Sequence, residues 1–279
     1  LDELWNTIER EPNAALYAGG TDLLVNMRAG RLDPPALICL ERIDEIKGVR
    51  DEGDKVWIGA GTTHSRLLED PLLVGTFPAL VKALRTLGSP PIRRMGTIGG
   101  NIVNASPAGD ALPPLYILEA EVEIAAGNGA RSSALRDFIV GPGQVRLARG
   151  EIVTGVRASK PSGYGVHHFE KIGLRSSQAC SVASLAAMAA IDRAGVIESI
   201  RLAWGSVGPT VARASSAEEF LVGKRLSLDV LANVTPMVEN AISPISDIRA
   251  SADYRRSVAG GLLLRLSRYL RREGALHAH

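Results

Sequence analysis

Residues 17–24 read YAGGTDLL and residues 92–115 read IRRMGTIGGNIVNASPAGDALPPL, and these two segments decide how the rest of the chain is understood. Each holds a double glycine, Gly19-Gly20 and Gly99-Gly100, flanked by apolar residues. Glycine has no Cβ, so successive backbone N–H groups can converge on an anion at such a turn, and a helix starting there adds a favourable dipole. A pyrophosphate would fit. Neither segment matches the GxGxxG dinucleotide fingerprint or the GxxxxGK[ST] phosphate loop, which sets aside an ordinary Rossmann or nucleoside-triphosphate site. Taken singly, either pair is also what a tight turn at a strand end uses.

Ahead of the first turn, AALYA (residues 14–18) is short and apolar, and after it Leu23, Leu24 and Met27 recur at helical spacing up to Gly30. The order is strand, glycine turn, helix. Pro34 and Pro35 then precede ALICL (residues 36–40), a run suited to a parallel strand buried on both faces, so the chain begins as a small βαβ-like layer. VWIGAG (residues 56–61) reads as a strand, Thr63 caps a helix over HSRLLED, and Leu80, Val81, Leu84 and Leu87 share one helical face. Residues 89–114 carry five prolines and almost no apolar period, and read as an ordered loop. Ala120, Val122 and Ile124 then alternate with glutamates, as in a half-exposed strand, and GNGA (residues 127–130) turns a hairpin. EIVTGVRA (residues 151–158) is a further strand, and KPSG (residues 160–163) marks a boundary between domains 1–160 and 161–279.

Beyond it GVHHFEKIG and SVASLAAMAAI read as strands, with EFLVG and LDVLANVTPMVENAI as helices. In a last helix Tyr254, Val258, Leu262, Leu266 and Leu270 repeat every fourth residue, while Arg255, Arg256, Arg265, Arg268, Arg271 and Arg272 occupy the other faces. This pattern suits a core-packed helix with a solvated arginine face better than a membrane-surface helix.

The 279 residues are 46% hydrophobic with a net charge of +2, enough for one large core or two modest ones and too balanced for a nucleic-acid footprint. The longest uncharged apolar run, Val182 to Ile191, is too short to span a bilayer, and nothing at the start reads as a signal peptide, so a cytoplasmic protein is expected. The first residue is Leu1, and the natural start is left open. Two cysteines, Cys39 and Cys180, cannot supply a four-ligand zinc or iron–sulfur site, so any redox chemistry needs an organic cofactor. His64, His167, His168, His277 and His279 are scattered, and no triad or metal set emerges. No catalytic residue is assigned.

With their neighbours, the two glycine segments resemble the FAD-binding subunit of molybdenum hydroxylases, the family that includes the medium chains of bacterial xanthine dehydrogenase and aerobic carbon monoxide dehydrogenase. The resemblance continues through FEKIGLR (residues 169–175) and SVASLAA (residues 181–187) to SADYRRSVAGGLLLR (residues 251–265). It implies an α+β chain, with a two-part FAD-binding domain of the vanillyl-alcohol-oxidase (PCMH) type followed by a smaller α+β C-terminal domain of antiparallel sheet and helices. On the same basis Leu16, Tyr17, Ala18, Gly19, Gly20, Thr21, Asp22 and Leu23 would wrap the FAD pyrophosphate and adjoining ribose. Thr97, Gly100, Asn101 and Asn104 would face the flavin or pyrophosphate, Asp110 a ribityl or ribose hydroxyl, and Ile152 and Val153 the adenine. Lys171 would approach the flavin, where a cation favours the anionic reduced ring, and Cys180 lies where relatives place an aromatic or aliphatic residue beside it.

The function so implied is an electron-transfer flavoprotein within a larger complex. A molybdopterin-binding large subunit oxidises the substrate, a small subunit with two [2Fe–2S] clusters relays electrons, and FAD on this chain discharges to NAD, oxygen or another acceptor. The additional [4Fe–4S] cluster found in one branch of the family has no cysteines here to hold it. Two other readings stand beside this one. A self-contained FAD-dependent oxidase or reductase would need an acid or base near the flavin, and a flavin-free assembly or scaffold protein would keep the glycine turns as architecture.

Overall fold

The computed structural model describes residues 1–175 and 178–269. β1 (Ala15–Tyr17) and β2 (Leu37–Cys39) pair in parallel around the helix Leu23–Arg28, as the βαβ-like reading requires. Burial of β2 is one-sided, contrary to expectation. Ile38 is buried while Leu37 and Cys39 are exposed, because a layer of two strands lacks the second covering that a wide parallel sheet has.

The main sheet runs in the order β3 (Val49–Glu52), β4 (Lys55–Gly59), β9 (Ile152–Ser159), β5 (Glu121–Ala126), β6 (Gly129–Ala134), with every neighbour antiparallel. Val122 and Ile124 point into the core and the intervening glutamates are half-buried, so the two-residue period of the sequence is the pleat itself. A short ribbon of β7 (Ile139–Gly141) and β8 (Gln144–Val145) follows the hairpin.

Residues 89–114 are not a loop. They hold the helices Pro90–Met95 and Ile98–Asn104 and the start of Leu112–Ile117. The prolines that mask a helical pattern lie in the first turns, where the missing N–H has no intrahelical partner to lose. Ser89 Oγ accepts from Ile92 N at 3.4 Å and Thr97 Oγ1 from Gly100 N at 3.1 Å, so both of the earlier helices have side-chain caps.

The last sheet is β10 (Val166–Gly173), β11 (Ser181–Ile191), β12 (Ile197–Gly205) and β13 (Ala212–Arg213), antiparallel throughout. Its two faces serve two cores. Ala186, Met188 and Ala203 join the core that contains Leu80 and Ile98, whereas Leu185, Ala187, Leu202 and Trp204 pack with residues of the helices Leu228–Ala241 and Ala252–Leu264. Cover on both sides explains why β11 is buried from Ser181 to Ala190 without alternation although its ladder is antiparallel.

The final helix departs from its expected face. Leu262 and Leu266 are buried as read, but Tyr254 is 51% exposed and Arg255 only 4%. Arg255 donates to Val182 O at 2.6 Å, Ser206 O at 3.0 Å and Asp247 Oδ1 at 2.8 Å. The helix lies in a seam between the sheet and the segment 243–251, so part of its arginine side is covered too. Arg265 and Arg268 pair with Glu170. Leu270, Arg271, Arg272, His277 and His279 lie outside the described residues. Among the described residues no helix is long and apolar enough to cross a membrane.

Candidate functional site

A cleft of about 420 Å³, within the usual range of roughly 300–1,000 Å³ for small-molecule sites, gathers segments far apart in sequence. Leu16, Tyr17, Ala18, Gly19, Gly20, Thr21, Asp22 and Leu23 line it from the end of β1, Thr97, Gly100, Asn101 and Asn104 from the helix Ile98–Asn104 and its cap, and Ile152 and Val153 from β9. The two glycine segments touch. A Cβ on Gly19 would stand 1.8 Å from the Met95 carbonyl oxygen, so only glycine lets the first turn lie against the chain leading into the second. Gly20 has φ +66°, the left-handed region that glycine enters without a Cβ penalty.

The two turns differ in what they leave free. The N–H groups of Gly19, Gly20, Thr21 and Asp22 meet no acceptor among the described residues. Those of Ile98, Gly99, Gly100 and Asn101 are all engaged, by Thr62 O, Ala60 O, Thr97 Oγ1 and Thr97 O. The expectation that both double glycines offer open amides therefore holds for the first alone. Gly99 is needed for packing, since a Cβ there would fall 2.5 Å from that of Ala60.

His64, set aside in the sequence as one of several scattered histidines, lines the same cleft. It is 2% exposed, its N–H donates to Gly96 O at 3.0 Å, and its ring Nδ1 is buried without a partner among the described residues. Burial first, and the Arg93 charge second, push its pKa down to about 4, so the ring is neutral at pH 7. The available signal was its place directly after the Thr63 cap at the end of a strand, where Thr63 Oγ1 accepts from Arg66 N at 3.3 Å. Asn101 Oδ1 is likewise buried and unpartnered. Glu151 also reaches the cleft, its carboxyl held down to about 2 by Arg131 and by Ala148 N.

Asp110 and Lys171 are not among the lining residues. Lys171 Nζ donates to Asp110 Oδ2 at 2.5 Å, Thr86 O at 2.9 Å and Ala179 O at 3.1 Å, while Ser181 Oγ donates to Asp110 Oδ1 at 2.7 Å. Burial pushes the Asp110 carboxyl up, and the lysine charge pulls against it. Cys180, in the segment leading into β11, is free and exposed.

Four open amides in succession suit an anionic diphosphate, and the buried, unpartnered Asn101 Oδ1 can accept from a hydroxyl or ring N–H of a ligand. Leu40, Leu147, Ile152 and Val153 supply apolar surface for flat rings. The residues fit FAD.

Comparison with known proteins agrees. Residues 1–158 match the family described as the FAD binding domain in molybdopterin dehydrogenase, and residues 168–270 the CO dehydrogenase flavoprotein C-terminal domain. The chain is 32% identical over 265 residues to the glyceraldehyde dehydrogenase medium chain of Sulfolobus acidocaldarius, covering 95% of this chain and 93% of that one. It is 31% identical over 255 residues to the nicotinate dehydrogenase FAD-subunit of Eubacterium barkeri, with 90% and 86% covered. Among solved structures, quinoline 2-oxidoreductase from Pseudomonas putida 86 superposes with a TM-score of 0.91 at 27% identity, covering 96% of this chain and 93% of that one. Carbon monoxide dehydrogenase from Hydrogenophaga pseudoflava gives 0.89 at 29%, with 95% and 92% covered. Shared sequence and fold place this chain in the molybdenum hydroxylase family, as one of its FAD-binding medium subunits and an oxidoreductase component.

Proposed function

We propose that this chain is the electron-transfer member of a complex with a molybdopterin-binding large subunit and a [2Fe–2S] small subunit, receiving electrons from the clusters and passing them to NAD or another acceptor. The observation that carries the reading is the run of N–H groups from Gly19 to Asp22 at the cleft that meet no acceptor among the described residues. When bound, FAD supplies a centre that takes up and releases electrons singly or in pairs. The protein's part is to hold and orient it. The backbone of residues 16–23 grips the diphosphate and ribose, Thr97, Gly100, Asn101 and Asn104 border the flavin side of that bridge, and Ile152 and Val153 cover the adenine.

For Lys171 to reach the flavin, and Asp110 a ribityl hydroxyl, each exchanges one of its present partners. The division into domains 1–160 and 161–279 belongs to the same proposal and is supported by family matches that end at residue 158 and resume at 168. So does residence in the cytoplasm, where two free, exposed cysteines stay reduced. The word "medium" in relatives' names supports the partner subunits, and the substrate oxidised by the complex is set elsewhere than in this chain.

The test is purification from the native source, with a visible spectrum and the masses of everything that co-purifies. A flavin spectrum and two further subunits are expected, and colourless protein eluting alone overturns the reading. Gly20→Leu and Gly100→Leu are expected to weaken FAD retention while circular dichroism stays near that of the parent. Equal retention removes those residues from the site.

A further inference from the structure

Gly19, Gly96 and His64 form a stack. A Cβ on Gly19 would lie 3.0 Å from Gly96 N, and a Cβ on Gly96 would lie 3.2 Å from His64 Cδ2 and 3.5 Å from its Nε2. The Met95–Gly96 backbone thus lies against both the first turn and the imidazole, and the ring itself lines the cleft. No carboxylate acts on it. The charged group that does is Arg93, whose guanidinium is held by Leu87 O at 3.0 Å and Gly88 O at 3.2 Å.

This environment settles the tautomer. Nδ1 is buried with no acceptor among the described residues, and a buried N–H without an acceptor is rarer than a bare lone pair. The single proton of the neutral ring belongs on Nε2, beside Gly96. That leaves Nε2–H as the ring's one donor, on a buried side chain that lines the cleft and without an acceptor among the described residues, and a ligand oxygen completes it.

We infer that His64 is a positioning residue of the cofactor site, a neutral imidazole that donates its Nε2–H to an oxygen of the FAD diphosphate–ribityl stretch. The inference rests on the FAD reading above. It assigns to His64 a hydrogen bond that fixes where the chain between the two rings of FAD lies, complementary to the amides of the first turn.

The experiment is an FAD titration of the full chain and of His64→Leu and His64→Gln, followed by flavin fluorescence, with imidazole 15N NMR of the parent before and after FAD. His64→Leu is expected to weaken FAD binding about tenfold, the size of one hydrogen bond to a charged group. His64→Gln, which keeps a donor, recovers part of that loss. In the parent the ring stays protonated on Nε2 and that proton's resonance moves downfield when FAD binds. A merely structural histidine would leave the resonance in place, and an unmoved resonance, or parental affinity in His64→Leu, overturns the inference. If His64→Leu does not fold, the parent's NMR titration decides. A parent that takes up no FAD overturns the reading beneath the inference instead.

Discussion

Lys171 Nζ lies 2.5 Å from Asp110 Oδ2, joining β10 of the last sheet to the segment ahead of the helix Leu112–Ile117. Both side chains are about nine-tenths buried, at 11% and 8% exposure, and neither has a polar group to spare. Removing one partner of such a pair leaves a buried charge uncompensated, which costs more than the pair contributes. Lys171→Met is expected to lower unfolding free energy by roughly 3–5 kcal/mol in urea. The double change with Asp110→Asn should lose distinctly less, and a double-mutant cycle reads the difference.

The glycines of the cleft should separate cleanly by substitution to alanine. At Gly19 the new Cβ meets a carbonyl oxygen at 1.8 Å, and backbone cannot yield as a flexible side chain can. At Gly100 the nearest atom is Thr97 Oγ1 at 3.1 Å, on an otherwise open side. Gly19→Ala is expected to cost about 1–3 kcal/mol by thermal melting, and Gly100→Ala to stay within about 0.5 kcal/mol of the parent.

Stability should fall on mild acidification. His64 is pushed to about 4 by burial and then Arg93, and His168 to about 4 by burial and then Arg268, Lys82 and Arg265. The unfolded chain binds these protons near pH 6.5, the folded chain only near 4, so the unfolded state gains protons first as pH drops. The stabilisation is complete above about 6.5 and is lost toward 4, with each histidine accounting for up to roughly 3 kcal/mol. Melting at pH 7 and pH 5 checks this, and His64→Leu should show a shallower drop between the two.

Arg255 fixes the segment 243–251 to the sheet. Its guanidinium bonds Asp247, and Asp247 in turn accepts from Arg249 N at 2.8 Å and Ala250 N at 3.2 Å. It also bonds the carbonyl of Ser206, a non-glycine residue at φ +64°. Arg255→Met is expected to destabilise by about 3 kcal/mol and to raise amide hydrogen exchange across residues 243–251 before it does so in β11.

Much of this architecture is local and therefore written in the sequence. The two-residue period of residues 120–124, the turn at Gly127, the Thr63 cap and the apolar run of residues 181–191 each depend on neighbours in the chain, and each recurs as an element of the fold. The helices within residues 89–117 were hidden because their caps and first-turn prolines look like turn residues until the helix that follows is seen. Arg255 was read as solvated because a helical period gives directions but not what stands in them.

The site divides in the same way. The glycine motifs gave the family and most of the cleft lining, since they lie on contiguous stretches. Which amides remain open is another matter. Gly99 and Ile98 give theirs to carbonyls of Ala60 and Thr62, some forty residues away, while Gly19 to Asp22 keep theirs. His64 enters the cleft by the same long-range contact. A hydrogen-bond vacancy is a property of everything packed around an atom, and only the folded chain decides it.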